Sequence, residues 1–342
     1  MRARPQDARP RPRHLNSEEF AFMNAPEPHD SLFSDACEQK RQEPTPPCLR
    51  GSLLGINYGM PARLMASGNA REAALALRKE TPFGGILAAL GDPGAQASCP
   101  RGSDHPFIAR MLKHLSEHYG DILFQPLSMP FSGTRAVVIG SGPAGLQAAW
   151  TLREQGCAVV VLEAASSAGV TLLHAPVQES SSAPAAPSPA VPADIVERTL
   201  TMLSRSGIEF RCASPVGQAK LSRLRSSFDL VFCACGKGAV LPADAEGRVE
   251  GNLFAAGTCV KNQKGMGALQ SMAAARKAAL AAGSAIGENA APSGWPQGAA
   301  KPFVEKALSP ENASAQELRP WEEAEYSLRR EAQQCLSCLQ TV

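Results

Sequence analysis

Residues 134–164, TRAVVIGSGPAGLQAAWTLREQGCAVVVLEA, decide the predicted fold. A β-branched run leads into Gly140, Gly142 and Gly145, which form G-x-G-x-x-G at the opening of a helical segment. A second apolar run then ends at Glu163, 23 residues after Gly140. Because strand, glycine loop, helix, second strand and acidic tip all occur at the required spacing, the stretch predicts a dinucleotide-binding βαβ unit.

Each glycine of this loop has a separate predicted role. Gly140 permits the tight turn, Gly142 lets the backbone approach a pyrophosphate, and Gly145 lets helix and strand pack closely. The helix N-terminus points free N–H groups at the phosphates. The predicted pyrophosphate site is therefore the whole loop: Gly140, Ser141, Gly142, Pro143, Ala144 and Gly145.

Glu163 is the predicted ribose ligand. A carboxylate at the tip of the second strand can accept hydrogen bonds from the hydroxyls of the adenosine ribose. An acidic tip, rather than one that carries arginine, favours FAD or NAD over NADP.

Further apolar runs alternate with helical segments along the chain. The strand-like runs are CAVVVLE (157–163), GIEFRC (207–212), FDLVFCACG (228–236) and GNLFAAG (251–257). Alternation of this kind predicts an α/β fold with a doubly wound parallel sheet. Residues 178–193, rich in Ser, Pro and Ala, predict a flexible low-complexity loop.

Composition divides the chain into four predicted regions. They are a disordered basic arm (1–34), a small helical domain (35–131), the α/β domain (132–288) and an extended tail (289–342) that ends in a helix with Cys335-x2-Cys338.

Charge and hydropathy exclude several classes of partner. The net charge is only +2, which does not favour a nucleic-acid partner. No apolar run approaches the roughly 20 residues of a membrane helix, and no secretory signal is evident. Several of the ten cysteines fall within apolar strands, where cysteine acts as a small buried hydrophobe. These features predict a cytoplasmic protein.

The loop GSGPAGLQAA (140–149) with its Glu-tipped strand resembles the FAD domain of the glutamate synthase small subunit and of the N-terminal region of dihydropyrimidine dehydrogenase. Residues 193–210, 228–236 and 251–257 resemble later segments of the same family. The resemblance implies a Rossmann-like FAD-binding domain and an FAD-dependent oxidoreductase. It assigns further cofactor contacts to Gly169, Gly257, Thr258, Met266 and Gly267, with Thr258 at a position where the family usually has Asp.

Residues 46–85 resemble the N-terminal iron–sulfur domain of that family, and EAQQCLSC in the tail resembles its Glu-Ala-x-Arg-Cys-Leu-x-Cys run. The implied metal ligands are Cys48, Cys99, Cys335 and Cys338. Other ligand positions of the family hold Ser52, Gly91 and Ala95 here. Because a [4Fe–4S] cluster needs four thiolates, residual cysteines on a helical scaffold are favoured over a bound cluster.

The family also carries an NAD(P)H-binding domain between the last two strands. Here only residues 237–251 join FDLVFCACG to GNLFAAG. The departure implies that no NAD(P)H site remains in this chain. We therefore expect electrons to pass between FAD and a partner protein or cluster.

Three other functions stay open at this stage. The chain could be a non-catalytic scaffold derived from such a flavoprotein. Cys335 and Cys338 could form a flavin-linked dithiol shuttle, although the sequence shows no second dithiol near a flavin. His114, Glu117 and His118 match the H-x-x-E-H zinc-hydrolase pattern, but the polar face of an amphipathic helix gives the same pattern.

Overall fold

A mostly parallel sheet forms the centre of the computed structural model, which describes residues 46–99, 106–174, 191–286 and 320–340. In these residues the strands are β1 (Arg135–Ile139), β2 (Ala158–Leu162), β3 (Ile208–Arg211), β4 (Leu230–Cys233), β5 (Arg248–Glu250) and β6 (Leu253–Ala255). Their order across the sheet is β3-β2-β1-β4-β6-β5. The five predicted strand runs contain β1, β2, β3, β4 and β6, which confirms the predicted α/β fold class.

Parallel pairing joins every neighbouring pair of strands except the last, because β5 runs antiparallel to β6 at the edge. The chain adds β2 and β3 on one side of β1, then returns to add β4 and β6 on the other side. This reversal makes the carboxyl ends of β1 and β4 a topological switch point, where open α/β sheets bind ligands.

Helices cover the sheet and precede it. In chain order they are α1 (Pro47–Gly51), α2 (Gly59–Ala66), α3 (Ala70–Glu80), α4 (Gly84–Leu90), α5 (Pro93–Ala97), α6 (Phe107–His118), α7 (Gly120–Leu123), α8 (Pro143–Glu154), α9 (Val170–Leu173), α10 (Ala193–Arg205), α11 (Gln218–Ser227), α12 (Ala268–Ile286) and α13 (Pro320–Gln340). Short 3₁₀ turns occur at Gly236–Gly238 and Lys261–Gln263.

The helix that follows the glycine loop, α8, packs against α12. Trp150 of α8 is almost fully buried, and the inner face of α12 carries buried Ala275, Ala279 and Ala282. Small side chains on α12 allow the two helices to approach closely. The contact fixes the start of α8 against the sheet and so positions the loop before it.

Several predicted regions fall outside the described residues. These are the basic arm (1–34), the tail up to residue 319 and most of the low-complexity loop. The loop ends earlier than predicted, because Val191 is buried and Ala193 already begins α10. Among the described helices, none combines the length and the apolar character that a membrane crossing requires.

The C-terminal helix α13 packs on α2 and α6. Arg110 forms an ion pair with Glu331, and Glu325 accepts a hydrogen bond from the hydroxyl of Tyr119 at 3.1 Å. Glu325 also lies 3.3 Å from Nε2 of His114, which is buried. The predicted C-terminal helix is therefore attached to the helical part of the chain by charged contacts.

We expect the attachment of α13 to weaken as the pH falls below about 6.5. Burial lowers the pKa of His114, and His118 lowers it further, whereas Glu325 and Glu117 oppose the shift. Because its pKa is lower in the folded protein, His114 binds a proton more readily in the unfolded state. Folding stability therefore falls as the pH drops from the unfolded pKa towards the folded pKa. Amide hydrogen exchange in α13 should therefore accelerate over this range.

The control for this prediction is His114→Gln, which removes the titrating ring. We expect the exchange of α13 in that variant to change less with pH than in the unmodified chain. An equal acceleration in both proteins would contradict a role for His114.

Candidate functional site

The glycine loop is held so tightly that two of its glycines leave no room for a side chain. Gly140 has a φ of +102°, and a Cβ added to it would lie 2.4 Å from the carbonyl oxygen of Ala234 at the end of β4. A Cβ on Gly145 would lie 1.9 Å from the carbonyl oxygen of Gly140. These contacts explain the first and third glycines as packing requirements of the turn.

Gly142 differs from the other two, because the space beside it is open. It is the N-cap of α8 with φ −69° and ψ −177°, a conformation that any residue adopts. A Cβ there would meet only the side-chain oxygen of Thr171, at 3.0 Å. The described backbone conformation therefore does not require glycine at this position.

Glu163 lies beside the loop, as the spacing predicted. Its Oε2 accepts hydrogen bonds from the backbone N–H of Ser141 at 2.8 Å and from the Ser141 hydroxyl at 2.5 Å. Its Oε1 accepts from the N–H of Ala165 at 2.9 Å. Burial raises the pKa of Glu163, but hydrogen bonds from Ala165 and Ser141 outweigh burial, so the net shift is downward. Glu163 is therefore an anion at neutral pH.

Ser141 links Glu163 to Gly169. The Ser141 side chain is almost fully buried, and its oxygen also accepts a hydrogen bond from the N–H of Gly169 at 3.0 Å. Gly169 has a φ of +73° and precedes α9. The structure thus brings three of the predicted cofactor contacts into one hydrogen-bonded network.

The end of β6 joins the same region. A Cβ on Gly257 would lie 2.9 Å from Cβ of Ala144, so the strand end touches the first turn of α8. The N–H of Gly257 donates to Oε1 of Gln263 at 2.7 Å. Sequence reasoning missed Gln263, because nothing in the pattern shows that the chain folds back from Gln263 to Gly257. Thr258 follows Gly257 and is half-buried.

Met266 and Gly267 lie directly before α12. Met266 lines an open cavity of about 600 Å³ whose wall also includes Leu53, Lys264 and Lys277. The N–H of Gly267 donates to Oε1 of Gln270 at 3.0 Å. The cavity therefore combines apolar and cationic side chains at the beginning of α12.

The structure describes the side chains of only two of the four predicted metal ligands. Cys48 lies on α1 and Cys99 follows α5, two helices that pack against each other. Cys335 and Cys338 belong to α13, but their side chains lie outside the described set. Within the described residues, no group of three or more His, Cys, Asp or Glu side chains could hold a metal ion.

A polar network surrounds Ser52, one of the positions that the sequence resemblance assigned to a cluster ligand. The Ser52 hydroxyl donates to Oδ2 of buried Asp92 at 2.7 Å, and the Tyr58 hydroxyl donates to the same atom at 2.9 Å. Asp92 also caps α5 by accepting from the N–H of Ala95. Burial raises the pKa of the nearby Cys48 thiol.

The H-x-x-E-H residues do not all point the same way. His114 is buried against Glu325 of α13, whereas Glu117 is exposed and pairs with Lys113 on its own helix. His118 is exposed, with its ring 4.7 Å from that of His114. Within the described residues, His114 therefore takes part in helix packing, whereas Glu117 and His118 lie on the surface of α6.

Together, the parallel sheet, the tight glycine loop and the acidic tip define a Rossmann-like fold. Comparison with known families agrees, because the NAD(P)-binding Rossmann-like domain matches residues 138–180.

The chain is similar in sequence to subunits of several oxidoreductases, among them the glutamate synthase small chain that its sequence motifs resemble. It is 26% identical over 233 residues to the β subunit of an NADP(+)-dependent formate dehydrogenase from Moorella thermoacetica, a match that covers 60% of this chain and 32% of the relative. It is 26% identical over 203 residues to the PreT subunit of an NAD-dependent dihydropyrimidine dehydrogenase from Salmonella typhimurium, covering 56% of this chain and 46% of the relative.

A shorter match joins the chain to the glutamate synthase [NADPH] small chain of Bacillus subtilis, with 31% identity over 106 residues, or 31% of this chain and 20% of the relative. The chain therefore spans between about a third and a half of the length of the first two relatives. These relatives are subunits of NAD(P)-dependent oxidoreductases, which supports an oxidoreductase-like role for the chain.

Proposed function

We propose that this chain binds FAD at the switch point of its sheet and passes electrons between the flavin and a partner subunit. The observation that carries the proposal is the convergence of three strand ends on the start of α8. Glu163 follows β2, the glycine loop follows β1, and Gly257 follows β6. An extended dinucleotide that crosses the sheet edge would contact all three.

The residues fit the adenosine end of FAD. Glu163 is ionised and accepts three hydrogen bonds from the chain, which leaves part of its lone-pair capacity for ribose hydroxyls. The open space beside Gly142 and the N–H groups of the first turn of α8 suit a pyrophosphate. The negative charge of Glu163 disfavours the 2′-phosphate of NADP at the same place.

The far end of the cofactor would lie towards Gly257, Thr258 and the start of α12. Gln263 holds the N–H of Gly257 and so fixes the turn that leads from β6 to Met266. When bound, FAD supplies the ring that accepts and releases electrons. The contribution of the chain is to bind and orient that ring and to leave its edge open to a partner beside the cavity at Met266.

A partner is part of the proposal because of how β4 and β6 are connected. The two strands pair directly, and residues 234–252 between them contain one 3₁₀ turn and the short strand β5. We therefore expect the electrons to come from another subunit. The names of the relatives, each a subunit or chain of a larger enzyme, support this expectation.

Titration of the apo-protein with FAD, NAD⁺ and NADP⁺ by calorimetry tests the proposal. We expect FAD to bind at least about tenfold more tightly than either nicotinamide dinucleotide. Glu163→Gln should weaken FAD binding by roughly ten- to a hundredfold, because the charged acceptor for the ribose hydroxyls is lost.

Glu209→Gln is the matched control for this titration. Glu209 lies on β3, is exposed and pairs with nearby Arg211, so its substitution should leave FAD affinity unchanged. Tighter binding of NAD⁺ or NADP⁺ than of FAD, or equal effects of the two substitutions, would overturn the proposed cofactor.

A further inference from the structure

Two cysteines far apart in the sequence meet at the carboxyl ends of β4 and β6. Cys235 follows β4, and Cys259 follows β6. Because Cys233 pairs with Ala255 in parallel register, both strand ends reach the same edge of the sheet. The Cys259 thiol lies 3.4 Å from the carbonyl oxygen of Cys233. It therefore packs against the strand end that leads to Cys235.

The loops after the two strands also touch. The N–H of Leu241 donates to the carbonyl oxygen of Cys259 at 2.8 Å, and Leu241 forms a parallel bridge with Val260. A Cβ added to Gly236 would lie 3.9 Å from Oγ1 of Thr258. The segment after Cys235 therefore lies along the segment that contains Cys259.

The two thiols differ in exposure and in acidity. Cys259 is 1% exposed, whereas Cys235 is half-buried and open to a small reagent. The Sγ of Cys259 lies 3.4 Å from the carbonyl oxygen of Cys233 and 3.3 Å from that of Ala256. Sharing of the Cys259 proton with Cys235 outweighs burial and lowers the pKa of Cys235 to about 7. The same sharing, together with burial, raises the pKa of Cys259. Near neutral pH, Cys235 is the nucleophile and Cys259 holds the shared proton.

Cys233, on β4, provides a comparison, because it is a buried cysteine of the sheet core. It is 4% exposed and points into the core beside Val137 and Val231, and burial raises its pKa to about 12. Packing alone accounts for Cys233. Cys259 shares this buried cluster, whereas Cys235 is only partly buried at its edge and has a lowered pKa, which sets Cys235 apart from Cys233.

We propose that Cys235 and Cys259 form a redox-active thiol pair, which a low-molecular-weight disulfide of the glutathione class oxidises to an intramolecular disulfide. The Cys235 thiolate attacks one sulfur of the small disulfide, whose S–S bond breaks, and one glutathione thiolate leaves and takes up a proton. A mixed disulfide then links Cys235 to the second glutathione. In this first step one S–S bond is exchanged for another.

Cys259 completes the reaction. Once Cys235 is in the mixed disulfide, it no longer shares the Cys259 proton, and the largest cause of the raised pKa of Cys259 is gone. Cys259 then loses its proton to solvent and attacks the Cys235 sulfur, and the second glutathione leaves as a thiol. Overall, two cysteine thiols lose two electrons and two protons, and one disulfide is reduced to two thiols.

The pair lies against the glycine loop. A Cβ on Gly140 would lie 3.2 Å from Cα of Cys235, so closing the disulfide would act on the backbone that turns at Gly140. The thiol reaction itself needs no bound nucleotide, and it therefore holds or fails independently of the proposed FAD site.

Peptide mapping tests the pair directly. The full chain is reduced, treated with glutathione disulfide without oxygen at about pH 7.5, blocked with N-ethylmaleimide and digested with trypsin. Cleavage after Arg225, Lys237, Arg248 and Lys261 places Cys233 and Cys235 in peptide 226–237 and Cys259 in peptide 249–261, and fragmentation of the joined peptides shows which cysteine is bonded. We expect these peptides to be joined by a Cys235–Cys259 disulfide. Independent labelling of both cysteines by N-ethylmaleimide would overturn the proposal.

Two variants distinguish a reacting pair from a chance contact. Cys259→Ser keeps a hydrogen-bond donor but cannot form the disulfide, so glutathione should remain attached to Cys235. Cys259→Ala also removes the donor, and alkylation of Cys235 by iodoacetamide near pH 7 should then slow by about tenfold. Cys212→Ser is the control and should change neither result, because Cys212 follows β3, away from this pair. Unchanged alkylation in Cys259→Ala would contradict the assigned sharing of the proton.

Discussion

Gly145→Ala is expected to destabilise the protein by about 3 kcal/mol, which lowers the Tm by roughly 10 °C. The added methyl group would lie 1.9 Å from the carbonyl oxygen of Gly140, and backbone at that position cannot move without shifting α8 away from β1. Because α8 packs against both the sheet and α12, the strain would spread into the core. Thermal unfolding followed by circular dichroism measures the effect.

Gly217→Ala provides the control for backbone entropy. Gly217 has a φ of −93°, and nothing lies within 4 Å of a Cβ added there. We expect its Tm to change little, because the poorer preference for alanine at this helix N-cap is offset by the lower entropy of the unfolded chain. If Gly145→Ala melted at the same temperature as Gly217→Ala, the close contact between α8 and the turn would be wrong.

Gly142→Ala is expected to weaken FAD binding by about tenfold or more while leaving the Tm almost unchanged. The backbone at Gly142 suits alanine, and the only close neighbour of the new methyl group would be the end of the exposed Thr171 side chain. The methyl group would instead occupy the space through which a pyrophosphate approaches the loop. Calorimetric titration and thermal unfolding of the same preparation measure both quantities.

The contrast between the two glycine variants separates folding from binding. Gly145→Ala should lose stability, and Gly142→Ala should lose affinity. An unchanged affinity for FAD in Gly142→Ala, with wild-type stability, would mean that no pyrophosphate lies against Gly142.

The sequence predicts the sheet well because each parallel strand leaves a strong local signal. β1, β2, β4 and β6 are buried apolar runs, and β1, β4 and β6 lead into glycine. Helix α3 carries similarly local signals, with Asn69 before it and Pro82 shortly after it. Strand β5 was missed, because its three residues, RVE, carry no apolar alternation and form an antiparallel edge.

Contacts between distant segments were not readable from the sequence. The tail helix was predicted, but its packing on α6 depends on pairs such as Arg110 with Glu331, which are 221 residues apart. The meeting of Cys235 with Cys259 follows only from the parallel pairing of β4 with β6. At the cofactor site, the spacing of Gly140 and Glu163 was visible in the sequence, whereas the hydrogen bonds that Ser141 and Gln263 make there required the fold.

The most direct test of the proposed function is the visible absorption spectrum of protein purified without oxygen, with released cofactor identified by chromatography. The proposal predicts a two-banded flavin spectrum and about one equivalent of FAD per chain. A colourless protein that cannot be reconstituted with FAD would contradict it, and would leave a scaffold built on a flavoprotein fold.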